Sequence, residues 1–184
     1  MKLSGKTALI TGGGTGIGLG IAQALAAEGC RVVVAGRRAE VVARAVAKTS
    51  APVPMVGRTV DVGDWASVEG LFDDVARTVG PVDILVNSAG TNTARRKLAE
   101  LSLDDWDAMM KINCYGSFYC LRAVVPQMIQ RRDGLIVNIN SISGLRAGML
   151  GGIGYNVSKF GVTALGISAA QETAEYGIRV TNVY

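Results

Sequence analysis

Residues 11–18 read Thr-Gly-Gly-Gly-Thr-Gly-Ile-Gly, set between the β-branched run Thr7 to Thr11 and a stretch whose Leu19, Ile21, Ala22 and Leu25 share one helical face. Few folds accommodate a strand that passes through so many glycines into a helix, because the turn must be tight and the helix must lie close on the sheet. Gly12 suits the turn, Gly16 lets a bound group approach the backbone, and Gly18 removes the side chain where helix meets strand. The unpaired N–H groups and positive end of such a helix cradle an anion. Gly12, Thr15, Gly16, Ile17 and Gly18 are therefore candidate contacts for a dinucleotide pyrophosphate. A merely tight strand-to-helix turn needs one glycine rather than three. The rival phosphate loop needs a Gly-Lys-Ser/Thr ending that is missing here.

Short β-branched runs followed by longer segments of helical spacing continue to the last residue, the pattern of a parallel sheet. Strands are expected at Thr7 to Thr11, Arg31 to Ala35, Pro54 to Val60, Asp83 to Asn87, Leu135 to Asn140 and Ile178 to Val183. Most are continuously apolar, as strands covered on both faces are. Helices are expected over Gly16 to Glu28, Ala39 to Lys48, Asp64 to Val79, Ser102 to Arg131 and Gly154 to Tyr176. Gly29, Gly80 and Gly177 mark helix ends, and Ser102 with Asp105 forms a capping pair. With no linker, no repeat and 49% apolar residues, the 184 residues read as a single domain, a doubly wound α/β sheet of six strands.

The second strand runs into Ala35-Gly36-Arg37-Arg38, where an NAD-binding unit places a carboxylate on the adenosine ribose. Guanidinium groups there suit a 2′-phosphate, so NADP is favoured over NAD and Arg37 is the better single choice. A solvated basic helix start is the plain alternative. The absence of His removes Ser-His-Asp and Cys-His nucleophiles and the usual zinc sites, and no metal site is expected. The net charge of +4 is dispersed without interleaved aromatics, which argues against nucleic acid. Cys30, Cys114 and Cys120 are an odd count in apolar surroundings, consistent with a reducing compartment. The uncharged stretch Thr11 to Ala27 imitates an export signal poorly and is shorter than the ~20 residues a membrane span needs. A cytoplasmic protein with no membrane partner is expected.

Tyr155 and Lys159, four apart near a helix start, share one face. A phenol that ordinarily titrates near 10 is a poor proton acceptor at neutrality, and a neighbouring ammonium favours its ionised form. A shift of about three units takes roughly 4 kcal/mol, which a close Lys and a cationic nicotinamide together could supply. The phenol would then serve as acid or base.

With these motifs in order, the whole chain resembles the short-chain dehydrogenase/reductase family and its Rossmann fold. Thr11 to Gly18 resembles the family's cofactor turn, Asp61-Val62 its adenine-contacting pair, and Asn87-Ser88-Ala89-Gly90 its Asn-Asn-Ala-Gly strand end. Asn113 in Lys-Ile-Asn, Ser141 in Asn-Ser-Ile-Ser-Gly, and Tyr155 with Lys159 resemble the catalytic group. The resemblance implies that Tyr155 gives or takes the proton, Ser141 hydrogen-bonds the substrate oxygen, Lys159 holds the nicotinamide ribose, and Asn113 positions a water of the proton relay. Asp61, Val62, Asn87, Ala89, Gly90, Tyr155 and Lys159 join the glycine turn and Arg37 as implied cofactor contacts. Hydride then passes between nicotinamide and a substrate carbon. Each residue has an ordinary alternative: Ser141 as a turn cap with Ser143 as competitor, Asn113 as a buried amide, Asp61 as a turn residue.

Two departures matter. Ser88 replaces the family's second Asn, and the chain stops at Tyr184, where the family continues with a substrate lid, a further helix and a seventh strand. The lid and last strand are accordingly expected to be absent. For substrate, the Leu145 to Ile153 loop with Met149 and Leu150, beside the basic trio Arg95, Arg96 and Lys97, suggests an acyl thioester and thus a 3-oxoacyl reductase, with steroid, sugar or simple alcohol as alternatives. A noncatalytic NADP(H)-binding regulator and a truncated paralogue are the rival classes. By resemblance the two long helices form an oligomer interface, a homotetramer being expected first and a homodimer second.

Overall fold

The computed structural model describes residues 1–184. Six parallel strands alternate with helices: β1 (Thr7–Thr11), α1 (Gly16–Ala27), β2 (Arg31–Gly36), α2 (Ala39–Lys48), β3 (Val56–Thr59), α3 (Trp65–Thr78), β4 (Ile84–Asn87), α4 (Leu103–Met109), α5 (Gly116–Arg131), β5 (Gly134–Ile139), α6 (Ile153–Thr173) and β6 (Ile178–Val183). The sheet order is β3-β2-β1-β4-β5-β6, so the winding reverses between β1 and β4. This is the expected doubly wound, Rossmann-like arrangement.

Apolar residues on both sides of the central strands explain the architecture. In β1, Leu9 points into one core with Val68, Phe72 and Val75 of α3 and Val124 and Met128 of α5, while Ala8 and Ile10 point into another with Ala22 and Ala26 of α1 and Val42 of α2. A strand sandwiched in this way has no solvent face and need not alternate. On the second face Leu135, Val137 and Ile139 of β5 remain half-buried, and β6 is the sheet's edge.

Helix ends follow local chemistry. The Asp64 carboxylate accepts the Ser67 N–H at 3.0 Å, and the Ser102 hydroxyl accepts the Asp105 N–H at 3.1 Å. The second pair is not reciprocal, because the Asp105 carboxylate accepts instead from the Thr93 hydroxyl at 3.2 Å. Gly29, Gly80 and Gly177 all have positive φ, as helix-terminating glycines do.

The structure corrects two expected spans. The third strand spans Val56–Thr59 rather than Pro54 to Val60, because its pairing with β2 runs only from Val33 opposite Val56 to Gly36 opposite Thr59. The helix expected from Ser102 to Arg131 is interrupted by a π-helical turn, Met110–Tyr115, between α4 and α5. There the Ser117 hydroxyl donates to the Asn113 carbonyl at 2.8 Å, a side-chain bond on a backbone group at the irregular turn.

Candidate active site

A cleft of about 820 Å³ opens at the carboxyl ends of the strands, where the winding reverses. Its first wall is the turn from β1 into α1. Gly12 (φ +65°) lies so close to the next strand's end that a Cβ would stand 2.9 Å from the Ala89 backbone, and a Cβ on Gly18 would stand 2.5 Å from the Gly12 carbonyl. Gly16 differs: φ is +53° and a Cβ would meet nothing within 4 Å, so its backbone faces open space. Thr15 occupies the cap position of α1 without a side-chain bond, and the first turn carries no acid. The leading N–H groups of α1 thus have neither an internal partner nor a capping side chain. Together with Ile17, these residues line the cleft and fit a pyrophosphate.

At the end of β2, Arg37 and Arg38 line the same cleft, both exposed and with side chains that make no hydrogen bond or ion pair. Val62, Ala89 and Gly90 line it as well. Asp61 does not: its carboxylate accepts the Gly63 N–H at 2.9 Å, the bond of a turn residue. Asn87 also lies off the cleft wall, in register with Asn138 and Asn182. The Asn87 amide donates to Asn138 at 3.0 Å, and the Asn138 amide donates to Asn182 at 3.0 Å, so an asparagine row ties three strands together beneath the site.

The opposite wall carries Ser141, Tyr155 and Lys159. Ser141 follows β5, and its Oγ accepts the Ser143 N–H at 3.1 Å while its own proton has no partner. Tyr155 is half-buried, with a hydroxyl that bonds nothing in the chain. Lys159, one turn on, is 5% exposed; its Nζ donates to the Ile139 carbonyl at 2.9 Å and lies 5.7 Å from the Tyr155 ring centre. Burial pushes this ammonium down to about 8.

Asn113 stands behind this wall, 1% exposed and outside the cleft lining. Its Oδ1 accepts the Thr91 N–H at 2.7 Å, and its Nδ2 donates to the Thr91 carbonyl and to Ser158 Oγ, each at 2.9 Å. Ser158 in turn donates to the Tyr155 carbonyl at 2.9 Å. Asn113 therefore links the segment after β4 to the helix turn that carries Tyr155.

The side-chain role of Thr11 went unnoticed in the sequence. Thr11 Oγ1 accepts both the Ser88 and the Ala89 N–H at 3.2 Å, which shapes the strand end against Gly12. A threonine closing the first strand was the only available signal. Ser143, the neighbour of Ser141, also lines the cleft and is buried. Of the basic trio, Arg96 is consumed as a clamp, donating to the Thr93 carbonyl at 2.7 Å and the Leu150 carbonyl at 2.6 Å. Lys97 pairs with Glu100 at 3.5 Å, which leaves Arg95 unpartnered. No helix is long and apolar enough to cross a membrane.

Known proteins share the sequence family and the fold. A family model described as short chain dehydrogenase matches residues 6–184. The glycine betaine reductase ATRR of Emericella nidulans is 39% identical over 183 residues, which are 98% of this chain and 14% of that protein. An uncharacterized oxidoreductase of Staphylococcus aureus strain MW2 is 34% identical over 181 residues, 98% of this chain and 77% of its relative. Among solved structures, an NAD+-bound xylitol dehydrogenase superposes with a TM-score of 0.95 at 34% identity, covering 99% of this chain and 70% of that one.

Proposed function

The chain belongs to the short chain dehydrogenase family, whose members are nicotinamide-dependent oxidoreductases acting on CH–OH donors, and from that premise we propose that it uses NADP(H) on a carbonyl or secondary alcohol. One observation carries the reading: a single cleft joins the open glycine turn of α1 to Ser141, Tyr155 and Lys159. The bound nicotinamide supplies or accepts the hydride.

The chain's own groups handle binding and the proton. The α1 N-terminus, with Gly12, Thr15, Gly16, Ile17 and Gly18, holds the pyrophosphate, and Val62, Ala89 and Gly90 line its path. Ser141 uses its free proton to hold the substrate oxygen. Tyr155 donates its hydroxyl proton to that oxygen in reduction and takes it back in oxidation. Lys159 keeps a positive charge 5.7 Å from the ring centre while the proton moves, and it would hold the nicotinamide ribose. The saturated Asn113 side chain acts by holding the Tyr155 turn, and a relay water would use its backbone carbonyl beside Ser117. Asn87 acts from beneath as a strand tie, and Asp61 as the turn that sets Val62.

NADP is preferred over NAD because Arg37 and Arg38 stand free at the end of β2 with no carboxylate among the cleft residues. The substrate is a small molecule or an acyl thioester. The 3-oxoacyl reading keeps its apolar loop but only Arg95 of its basic approach. Exposed Phe118 on α5 with Phe160 and Ile167 on α6 supports a homotetramer, or failing that a homodimer. Three unpaired cysteines, of which burial raises Cys30 to about 11 and Cys120 to about 12, suit a reducing cytoplasm. The test is a carbonyl-reduction screen with each cofactor. Turnover with a higher kcat/KM for NADPH supports the reading, and turnover with neither cofactor overturns it.

A further inference from the structure

We propose that Arg146 recognises an anionic group, a carboxylate or a phosphate, on the substrate. The inference rests on the oxidoreductase reading of the cleft and extends it to substrate class.

Five cations line the cleft, Arg37, Arg38, Arg96, Arg146 and Lys159, and no Asp or Glu lines it. Four of them are accounted for. Lys159 is held on the Ile139 carbonyl, and Arg96 is spent on the Thr93 and Leu150 carbonyls. Arg37 and Arg38 follow β2, which is separated from β5 by β1 and β4. Three strand spacings amount to about 14 Å, so those two guanidiniums serve the far end. Arg146 is the remaining one. It follows β5 by a short helical turn, five residues beyond Ser141, is exposed to the cleft, and has no hydrogen bond or ion pair from its side chain.

A solitary exposed arginine on a convex surface would mean nothing. The backbone on which this one sits is pinned. The Arg146 N–H donates to the Ile142 carbonyl at 2.9 Å. Further along the same loop, the Gly148 carbonyl accepts from Asn156 at 2.9 Å, the Leu150 carbonyl from Arg96 at 2.6 Å, and the Gly151 carbonyl from Asn92 at 3.1 Å. Three polar side chains from outside the loop thus fix the wall beside the reacting hydroxyls before any ligand arrives. Binding there loses less ordering entropy than binding to a mobile loop. A cation carried on a pinned backbone in a concave site without a competing carboxylate concentrates anions, and the guanidinium fork matches carboxylate and phosphate oxygens two at a time. The apolar Leu150 on the same wall suits a short carbon skeleton between the anionic group and the reacting carbon.

The experiment compares matched pairs as substrates for reduction: acetoacetate against its methyl ester, and dihydroxyacetone phosphate against dihydroxyacetone. The expected result is a kcat/KM ratio favouring the charged member of at least one pair, and the pair identifies which anion is read. Arg146→Gln should lower that ratio by about 10- to 100-fold, the range for losing a charged hydrogen-bonded contact. Arg146→Lys should recover part of it, and added salt should erode it in the native chain. A ratio that Arg146→Gln leaves unchanged, or a native preference for both neutral partners, overturns the proposal. If neither pair is turned over, calorimetry of acetoacetate and dihydroxyacetone phosphate with the native chain and Arg146→Gln decides the proposal, while the oxidoreductase reading stands or falls on the separate carbonyl-reduction screen. Binding lost in the variant supports the proposal, and binding equal in both or absent from both overturns it.

Discussion

Replacing Lys159 by Met tests how the site holds its ammonium. The side chain is 5% exposed, has one carbonyl partner at 2.9 Å and no carboxylate, and burial takes its pKa from 10.5 to about 8. Between those two values the unfolded chain binds more protons than the folded one, so this group adds stability as pH rises through the window. Below about pH 8 the full cost of burying the charge is present, and near 10.5 it has gone. At 1.36 kcal/mol per unit, most of the shift is released between pH 7 and 10, about 2.5 kcal/mol. Met is nearly the same length and has no charge to desolvate, so its stability lacks this contribution at every pH. Urea unfolding of both proteins at pH 7, 8, 9 and 10 removes the other titrating groups by difference. The native chain should gain about 2.5 kcal/mol on Lys159→Met across the series, or roughly 5–10 °C in Tm. Parallel curves would refute a buried ammonium, and a difference moving the other way would require an ion-pair partner for Lys159.

The glycine turn separates folding from binding. Gly18→Ala forces a Cβ to 2.5 Å from the Gly12 carbonyl and should cost about 1–3 kcal/mol in urea unfolding, whereas Gly16→Ala meets no atom and should cost about 1–2 kcal/mol for its positive φ alone. Because Gly16 faces the open cradle, its alanine should nonetheless weaken NADPH binding by fluorescence titration; unchanged affinity would remove Gly16 from the cofactor contacts. Arg37→Ala should raise the Kd for NADPH by about 10- to 100-fold, through loss of a charged hydrogen bond, and the Kd for NADH far less. Equal losses would contradict the 2′-phosphate assignment.

The features that could be read from the sequence are those encoded in local pattern. Continuously apolar runs such as Thr7 to Thr11 announced a doubly covered strand, and Gly12, Gly16 and Gly18 announced the turn that opens the cleft. Ser141, Tyr155 and Lys159 arrived on one wall because two of them are a helical turn apart and the third follows β5 by two residues. The π-helical turn at Met110–Tyr115 stayed hidden, since apolar spacing runs through it undisturbed and the Ser117 bond to the Asn113 carbonyl leaves no trace in periodicity. Arg96 read as part of a surface charge run because the carbonyl it clamps belongs to Leu150, 54 residues away. The same long-range geometry concealed Arg146, whose position in the cleft depends on where its loop is pinned.

The central claim is that the Tyr155 hydroxyl carries the proton. Tyr155→Phe deletes one oxygen that has no bond within the chain, so neither the fold nor the glycine cradle should respond. Single-turnover reduction of a carbonyl substrate with NADPH should slow by about 10²- to 10⁴-fold, the usual worth of a general acid, while the Kd for NADPH stays within a few-fold. A variant that reduces its substrate at the native rate would contradict the account.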